Sequence, residues 1–388
     1  MKRLIIAALC LFICGSLCSF PVFAEEMSNY ELVERINQLE ERLKSGVLPE
    51  GWADRVTLSG AVEVEAGYEN VDFADPDAED EDSGDLALAT AELGVDVDIT
   101  EHVAGSVLFL YEDDESVAVD EAFIILDGKD ALPLYLKAGK IYVPFGNFES
   151  NMISDPLTLE LGETRETAVE VGFEYGGFYG SVYAFNGDID KDGEESHIDN
   201  YGACVGYALE QDVFSMDIGA SWINNIADSG GYSDAIEEEA EAAEALGIAF
   251  AFRDYVPGIS AHTIFNLGPV TLIGEYVSLL EEPKWNITDV VPGSMAALGL
   301  NPVEEGEKIA AWNAELGYTR SLGGKETTLA FGVQGVKDGE EFFPEKRYLG
   351  ALSVGIFDGT TMALEYCHDK FENDDEVDVL TAQLAIEF

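Results

Sequence analysis

The chain has 388 residues and a formal charge of −57, from 77 acidic against 20 basic side chains. That balance excludes a nucleic-acid binder, which needs a basic footprint to neutralise phosphates, and it argues against any broad affinity for anionic surfaces. Such acidity often means disorder, but 47% hydrophobic and 11% aromatic content is too rich for that, so the acid decorates an ordered scaffold.

Lys2 and Arg3 precede a nearly unbroken apolar run from Leu4 to Val22, and Val22-Phe23-Ala24 is a small-residue cleavage site followed by Glu25 and Glu26. Residues 1–24 therefore read as a signal peptide, with an uncleaved anchor as the alternative. Cys14 and Cys18 follow Ile13 and Leu17 rather than the small residue a lipoprotein signal wants, so lipidation is not expected. Residues 25–49 read as a periplasmic helix: Ser28-Asn29-Tyr30-Glu31 is a capping box, Leu32, Ile36, Leu39 and Leu43 recur as a coiled-coil seam, and Gly46 and Pro49 stop it. A helix this short is marginal alone. It is expected either to associate with copies of itself, as in a homotrimer, or to dock on the domain that follows.

From Val56 the hydrophobic period changes to two. Val56, Leu58, Val62, Val64 and Tyr68 alternate with Thr57, Ser59, Glu63, Glu65 and Glu69, and the pattern returns in Ala91 to Ile99, Val169 to Tyr175 and many later segments. Val117–Leu126, Leu134–Val143 and Phe178–Gly187 alternate less cleanly, and their facing stays open. No run after Ala24 reaches the length of a membrane helix, so a spanning structure must be a closed barrel. Short connections such as Glu101-His102, Gly176-Gly177 and Gly268-Pro269 alternate with long acidic ones. The expected fold is all-β, a transmembrane antiparallel barrel of about 16 strands over residues 56–388, in the outer membrane of a Gram-negative-type cell and in contact with its lipid. The last strand, Leu380 to Phe388, alternates and ends on an aromatic, which resembles the signal read by the outer-membrane assembly machinery.

A soluble sandwich would bury one face, whereas the polar face here carries Glu63, Glu65, Asp96, Asp98, Glu170, Glu174, Asp217, Glu275, Glu315 and Glu365. Carboxylates in such number are expected to line a water-filled pore for small solutes. Tyr68, Tyr111, Tyr175, Tyr207, Trp222, Tyr276, Trp312, Tyr318, Tyr348 and Tyr366 fall mostly near strand ends on the apolar face, as in an aromatic girdle. Asp188-Ile189-Asp190-Lys191-Asp192-Gly193 with Asp199 at the twelfth position has the oxygen spacing of a calcium loop, with a solvated acidic loop as the alternative. No other cofactor is implied. Ser233–Phe252 reads as helix within the longest loop. Cys204 and Cys367 read as two inert thiols, with a single bridge as the alternative. His102, His197, His262 and His368 fall on separate elements, and no nucleophile elbow, zinc motif or phosphate loop occurs, so an enzyme is not expected.

Pro144 and Gly146 end a strand, and the long link to Val169 occupies the third loop position, where porins narrow their pore. Asn147, Glu149, Asp155, Glu163 and Arg165 are its candidate constriction residues, and Arg165, joined by Lys137 or Lys140 if either faces inward, is expected to offer a local positive spot. The block Ala138 to Glu166, with the helix, the opening strand Leu58-Ser-Gly-Ala-Val-Glu-Val-Glu-Ala and Phe185-Asn-Gly-Asp, resembles the LbtU-type siderophore porins. The resemblance implies passage of a ferric siderophore without a plug domain. Ferric siderophore uptake is therefore the first expectation; the acidic wall makes a less selective, cation-preferring general porin the alternative, and a structural tether to the cell wall is the third.

Overall fold

The computed structural model describes residues 55–388 apart from 76–77, 79, 113–115, 190, 194–196, 293 and 340–342. The signal peptide and coiled coil expected over 1–49 lie outside the described residues.

Sixteen antiparallel strands close into a barrel. Its first half comprises β1 (Val56–Asp72), β2 (Glu81–Thr100), β3 (Val103–Glu112), β4 (Ala118–Asp127), β5 (Leu134–Tyr142), β6 (Arg165–Tyr175), β7 (Phe178–Phe185), β8 (Asn200–Glu210) and β9 (Phe214–Ile223). A separate strand, β10 (Ile248–Phe252), precedes β11 (Gly258–Leu267) and β12 (Val270–Leu279) of the barrel. β13 (Lys284–Asp289) and β14 (Val303–Glu305) again stand outside it, and β15 (Ala310–Leu322), β16 (Lys325–Lys337), β17 (Lys346–Phe357), β18 (Thr360–Lys370) and β19 (Glu376–Glu387) complete it. Pairing of β1 with β19, Val62 opposite Ile386 and Val64 opposite Leu384, closes the ring and leaves no free edge.

The alternation sets the facing. Leu58, Val62, Val64 and Tyr68 stand exposed on the outer surface, as do Tyr175, Tyr276, Trp312, Tyr318, Tyr348 and Tyr366 of the girdle, while Tyr111, Tyr207 and Trp222 are half-buried. Such a continuous apolar exterior fits lipid and not water. Two bulges preserve it. Glu63 pairs with Thr90 but Glu65 with Ala87, so the extra residue in β2 keeps Leu86 and Leu88 on the same side as Ala91 and Leu93. Leu108 pairs with Glu121 but Phe109 with Val119, which leaves Asp120 as the extra residue in β4.

Three long connections fold inward or cap the barrel. The link between β5 and β6 carries helix α1 (Leu157–Gly162), and that between β9 and β11 carries α2 (Gly230–Ala245) and β10. The link between β12 and β15 carries β13, α3 (Ser294–Leu298) and β14, and β10, β13 and β14 form a small sheet of their own. The helix expected over Ser233–Phe252 therefore starts earlier and stops at Ala245. Gly247 takes φ +82°, and Ile248-Ala-Phe-Ala-Phe beyond it alternates as a strand should.

These links build a hydrophobic core inside one half of the barrel. Leu157 and Leu161 of α1 lie fully buried among Ile141, Phe185, Ile223, Val277 and Val336 of the wall and Tyr232 and Ile236 of α2. Ser229 Oγ donates to Leu161 O at 2.9 Å and Gly230 N–H to Glu163 O at 2.9 Å, which joins the end of α1 to the start of α2. This core explains why β5 and β7 alternate poorly: Ile141, Tyr183 and Phe185 point inward yet meet apolar neighbours, not water. Inward tyrosines also lie flat. A Cβ on Gly172, Gly206 or Gly202 would strike the ring of Tyr135, Tyr179 or Tyr183 on the adjacent strand.

Leu161→Ala is expected to cost about 2–5 kcal/mol of loop docking. The check is hydrogen exchange: amides of 157–162 should exchange faster while those of β1 and β19 do not change.

Candidate functional site

The connection between β5 and β6 runs across the lumen to β16, the eighth strand from β5 in either direction around the ring. A segment in this position must find partners for its backbone N–H groups away from bulk water. The wall supplies them as carboxylates at three-residue intervals. Asn147 and Phe148 donate their N–H groups to Glu275 on β12, at 2.8 and 3.0 Å. The Asn151 N–H and the Ser150 hydroxyl donate to Glu315 on β15, both at 2.8 Å. Ile153 N–H, at 2.5 Å, and Ser154 N–H and Oγ, at 3.2 and 2.6 Å, all donate to Glu365 on β18. Gly146 N–H to Ser221 Oγ and Leu157 N–H to Gln334 Oε1 fix the two ends. Hydrogen bonds to an ionised acceptor are the strong ones.

This reassigns part of the expected pore lining. Glu275, Glu315 and Glu365 do point inward, but only 6, 4 and 2% of each is exposed. They hold the loop instead of facing an open pore. Glu170 is buried as well and accepts from Tyr135 OH at 2.7 Å. Asp217 accepts from Tyr179 OH at 2.7 Å, with His262 Nε2 at 3.5 Å. Glu174 lines a separate recess of about 510 Å³ with Lys137 and Tyr135.

An open cavity lies on the other side of the loop, against β1, β2, β3 and β19. Its volume is about 730 Å³, and it is lined by Glu63, Glu65, Glu92, Glu112 and Glu387 of the wall and by Ile153, Ser154 and Asp155 of the loop tip. Six carboxylates surround it and no lysine or arginine does. Glu63 and Glu65 were legible from the sequence as lining. Glu92, Glu112 and Glu387 were not singled out, although Glu92 shares the inward parity of Asp96 and Asp98. Neither Asp96 nor Asp98 borders the cavity.

The expected positive spot is absent from this cavity. Arg165 pairs with Asp120 and sits over the Tyr142 ring, and its register places it on the face of Thr167 and Val169, which is the outer one. Lys140, opposite Ala122 and Thr167, shares that face. Lys137 points inward but lies over the Phe123 ring at 3.9 Å and within 3.7 Å of Glu121, in the separate recess. Among the loop residues, Asn147 contributes its backbone N–H and caps Glu149 N–H through Oδ1, while Glu149 itself is exposed.

Among the described residues no three potential ligands gather to hold a metal ion. Asp192 accepts from Asn286 Nδ2 at 2.9 Å, the Ile189 N–H turns to Asp228, and Asp190 lies outside the described residues. Asp188, Asp192 and Asp199 are thus not grouped as a metal site among the described residues, which do not include Asp190 of the expected calcium loop. Cys204 and Cys367 are both free thiols.

Fold and lining together define a closed sixteen-stranded antiparallel barrel with an inward third loop. No family model matches the chain. It is 30% identical over 346 residues to a UPF0422 protein of Coxiella burnetii, covering 86% of this chain and 68% of that one, and it belongs to the UPF0422 family. The UPF0422 protein lpl2888 of Legionella pneumophila is 25% identical over 81% of this chain, which spans 59% of that relative's length. Among solved structures, the outer membrane channel DcaP of Acinetobacter baumannii superposes with a TM-score of 0.56 at 15% identity, over 86% of this chain and 97% of its own. An anion-selective porin from Comamonas acidovorans gives 0.55 at 14%, over 86% and 99%. At these identities the likeness is one of fold.

Glu163, which follows α1, is pushed up to about 7 by burial and then by the charges of Asp155 and Asp120, with Arg165 opposing. A carboxyl raised above its ordinary value near 4.5 favours the docked loop in its protonated form. Docking should therefore weaken as pH rises from about 4.5 through 7 and level off above. Hydrogen exchange of 157–163, corrected for the intrinsic pH dependence, should show this in the natural protein and lose it in Glu163→Gln.

Proposed function

We propose that the protein is an outer-membrane diffusion channel of porin type that prefers cations. The observation that carries this reading is the path beside the third loop, bordered by six carboxylates and no basic side chain. Like charges confined around one narrow aqueous space raise the local concentration of cations and repel anions, because a low-dielectric wall focuses the field. The exposed apolar belt supports residence in lipid, and the short turns would face the periplasm. A structural neighbour described as anion-selective shares this fold, so selectivity is read from this chain's own lining.

Passage of a ferric siderophore is the narrower reading implied by the LbtU-type resemblance. It would need the same path to admit a bulky chelate, often an anionic one, and the lining opposes that. A homotrimer is the assembly we propose from the Leu32, Ile36, Leu39 and Leu43 seam; native mass spectrometry in mild detergent showing only monomer would refute it.

In planar bilayers under a KCl gradient the reversal potential should report cation preference, and Glu63→Gln with Glu65→Gln and Glu92→Gln should move it toward zero. An anion-selective wild type, or a potential unmoved by the triple change, sinks the proposal. Proteoliposomes that admit an anionic ferric chelate faster than a cationic dye of similar size would replace it with the siderophore reading.

A further inference from the structure

The tip of the third loop, Ile153 to Asp155, does two things at once. It makes the last of the three wall attachments, and it forms one side of the acid-lined path. On either side of it the loop is firmly held, by Glu315 at Ser150 and Asn151 and by Gln334 and the core at Leu157. Between those points the tip depends on Glu365, whose carboxylate accepts three bonds from two residues, and on a longer contact of 3.4 Å from Arg347 Nη1 to Asp155 O. Arg347 is itself committed to Asp369 through two bonds of 2.8 and 2.7 Å.

We infer that Glu365 is a positioning residue that holds this tip against β18 and so keeps the path open. The inference rests on the porin reading above. If the carboxylate were lost, the N–H groups of Ile153 and Ser154 and the Ser154 hydroxyl would need new acceptors. Behind the tip stands the wall, so the water that can satisfy them is the water of the path. The released tip therefore moves into the space it now borders, and it carries Asp155 toward Glu63 and Glu65. That approach is repulsive, so the obstruction is transient and takes the form of flicker, not a stable closure.

The test is single-channel recording of Glu365→Gln, which keeps the side-chain volume but replaces one acceptor oxygen with a donor aimed at other donors. Roughly tenfold more time in low-conductance levels is expected, the change that follows from losing about one charge-assisted hydrogen bond. The reversal potential of the open level should stay where it is, because Glu63, Glu65 and Glu92 are untouched, and the melting of the barrel should not change. Ser154→Ala removes one donor and leaves the wall intact; it should shift dwell times in the same direction by less, and it decides the matter if Glu365→Gln fails to fold. Dwell times like those of the wild type in both variants overturn the inference while the porin reading stands. Absence of conductance in the wild type overturns the porin reading instead; the tether is then read from the amides of Ile153 and Ser154, protected in the wild type and exposed to exchange in the variant if it exists. Unprotected amides in the wild type overturn the tether outright.

Discussion

The arrangement depends on one constraint: a loop that enters a barrel leaves bulk water and must still satisfy its backbone donors. In a helix or sheet those donors would find carbonyls. The stretch Asn147 to Ser154 makes neither, and wall carboxylates take the place of carbonyls, one for each adjacent pair of residues. The three-residue period of the loop thus meets strands β12, β15 and β18 in turn. A buried carboxylate without donors would be costly. These three have them, so the cost of burying the acid and the cost of burying the N–H groups offset each other.

The loop also divides the lumen. On the side of β6 to β16 the interior is filled by Leu157, Leu161, Phe185, Val277 and their neighbours, packed as the core of a soluble protein is. On the side of β19 and β1 to β3 it is wet and acidic. The dry half gives the loop a rigid back, and the wet half receives its tip. A mobile loop could not define a bore. One anchored in a core on one side and to wall carboxyl groups along its length can.

Much of this was legible in the sequence. Alternation from Val56 to Phe388 and the alternation of short and long connections carried the barrel and its strand number, and Pro144 and Gly146 marked where β5 gives way to the third loop. The facing of β4 was hidden by the bulge at Asp120, which shifts parity within one strand. That of β5 and β7 was hidden because Ile141, Tyr183 and Phe185 are apolar on the inner face, a pattern that presupposes the core they join. The division of labour among inward carboxylates was not legible at all. Parity says that Glu63 and Glu365 both point inward; whether water or a peptide group waits there depends on a loop more than two hundred residues from Glu365 in the chain.

The consequence is that net charge is a poor guide to what such a barrel selects. A charge of −57 would suggest a lumen acidic throughout. In fact Glu275, Glu315 and Glu365 are spent on peptide N–H groups, Glu170 and Asp217 on tyrosine hydroxyls, and the field along the path comes from six side chains on β1, β2, β3, β19 and the loop tip. The carboxylates that shape the bore and those that charge it sit on different strands. In the proposed channel, bore and selectivity can therefore change separately: a substitution on β1 or β2 alters the field without moving the loop, and one of Glu315 on β15 or Glu365 on β18 moves the loop while leaving the six lining carboxylates in place.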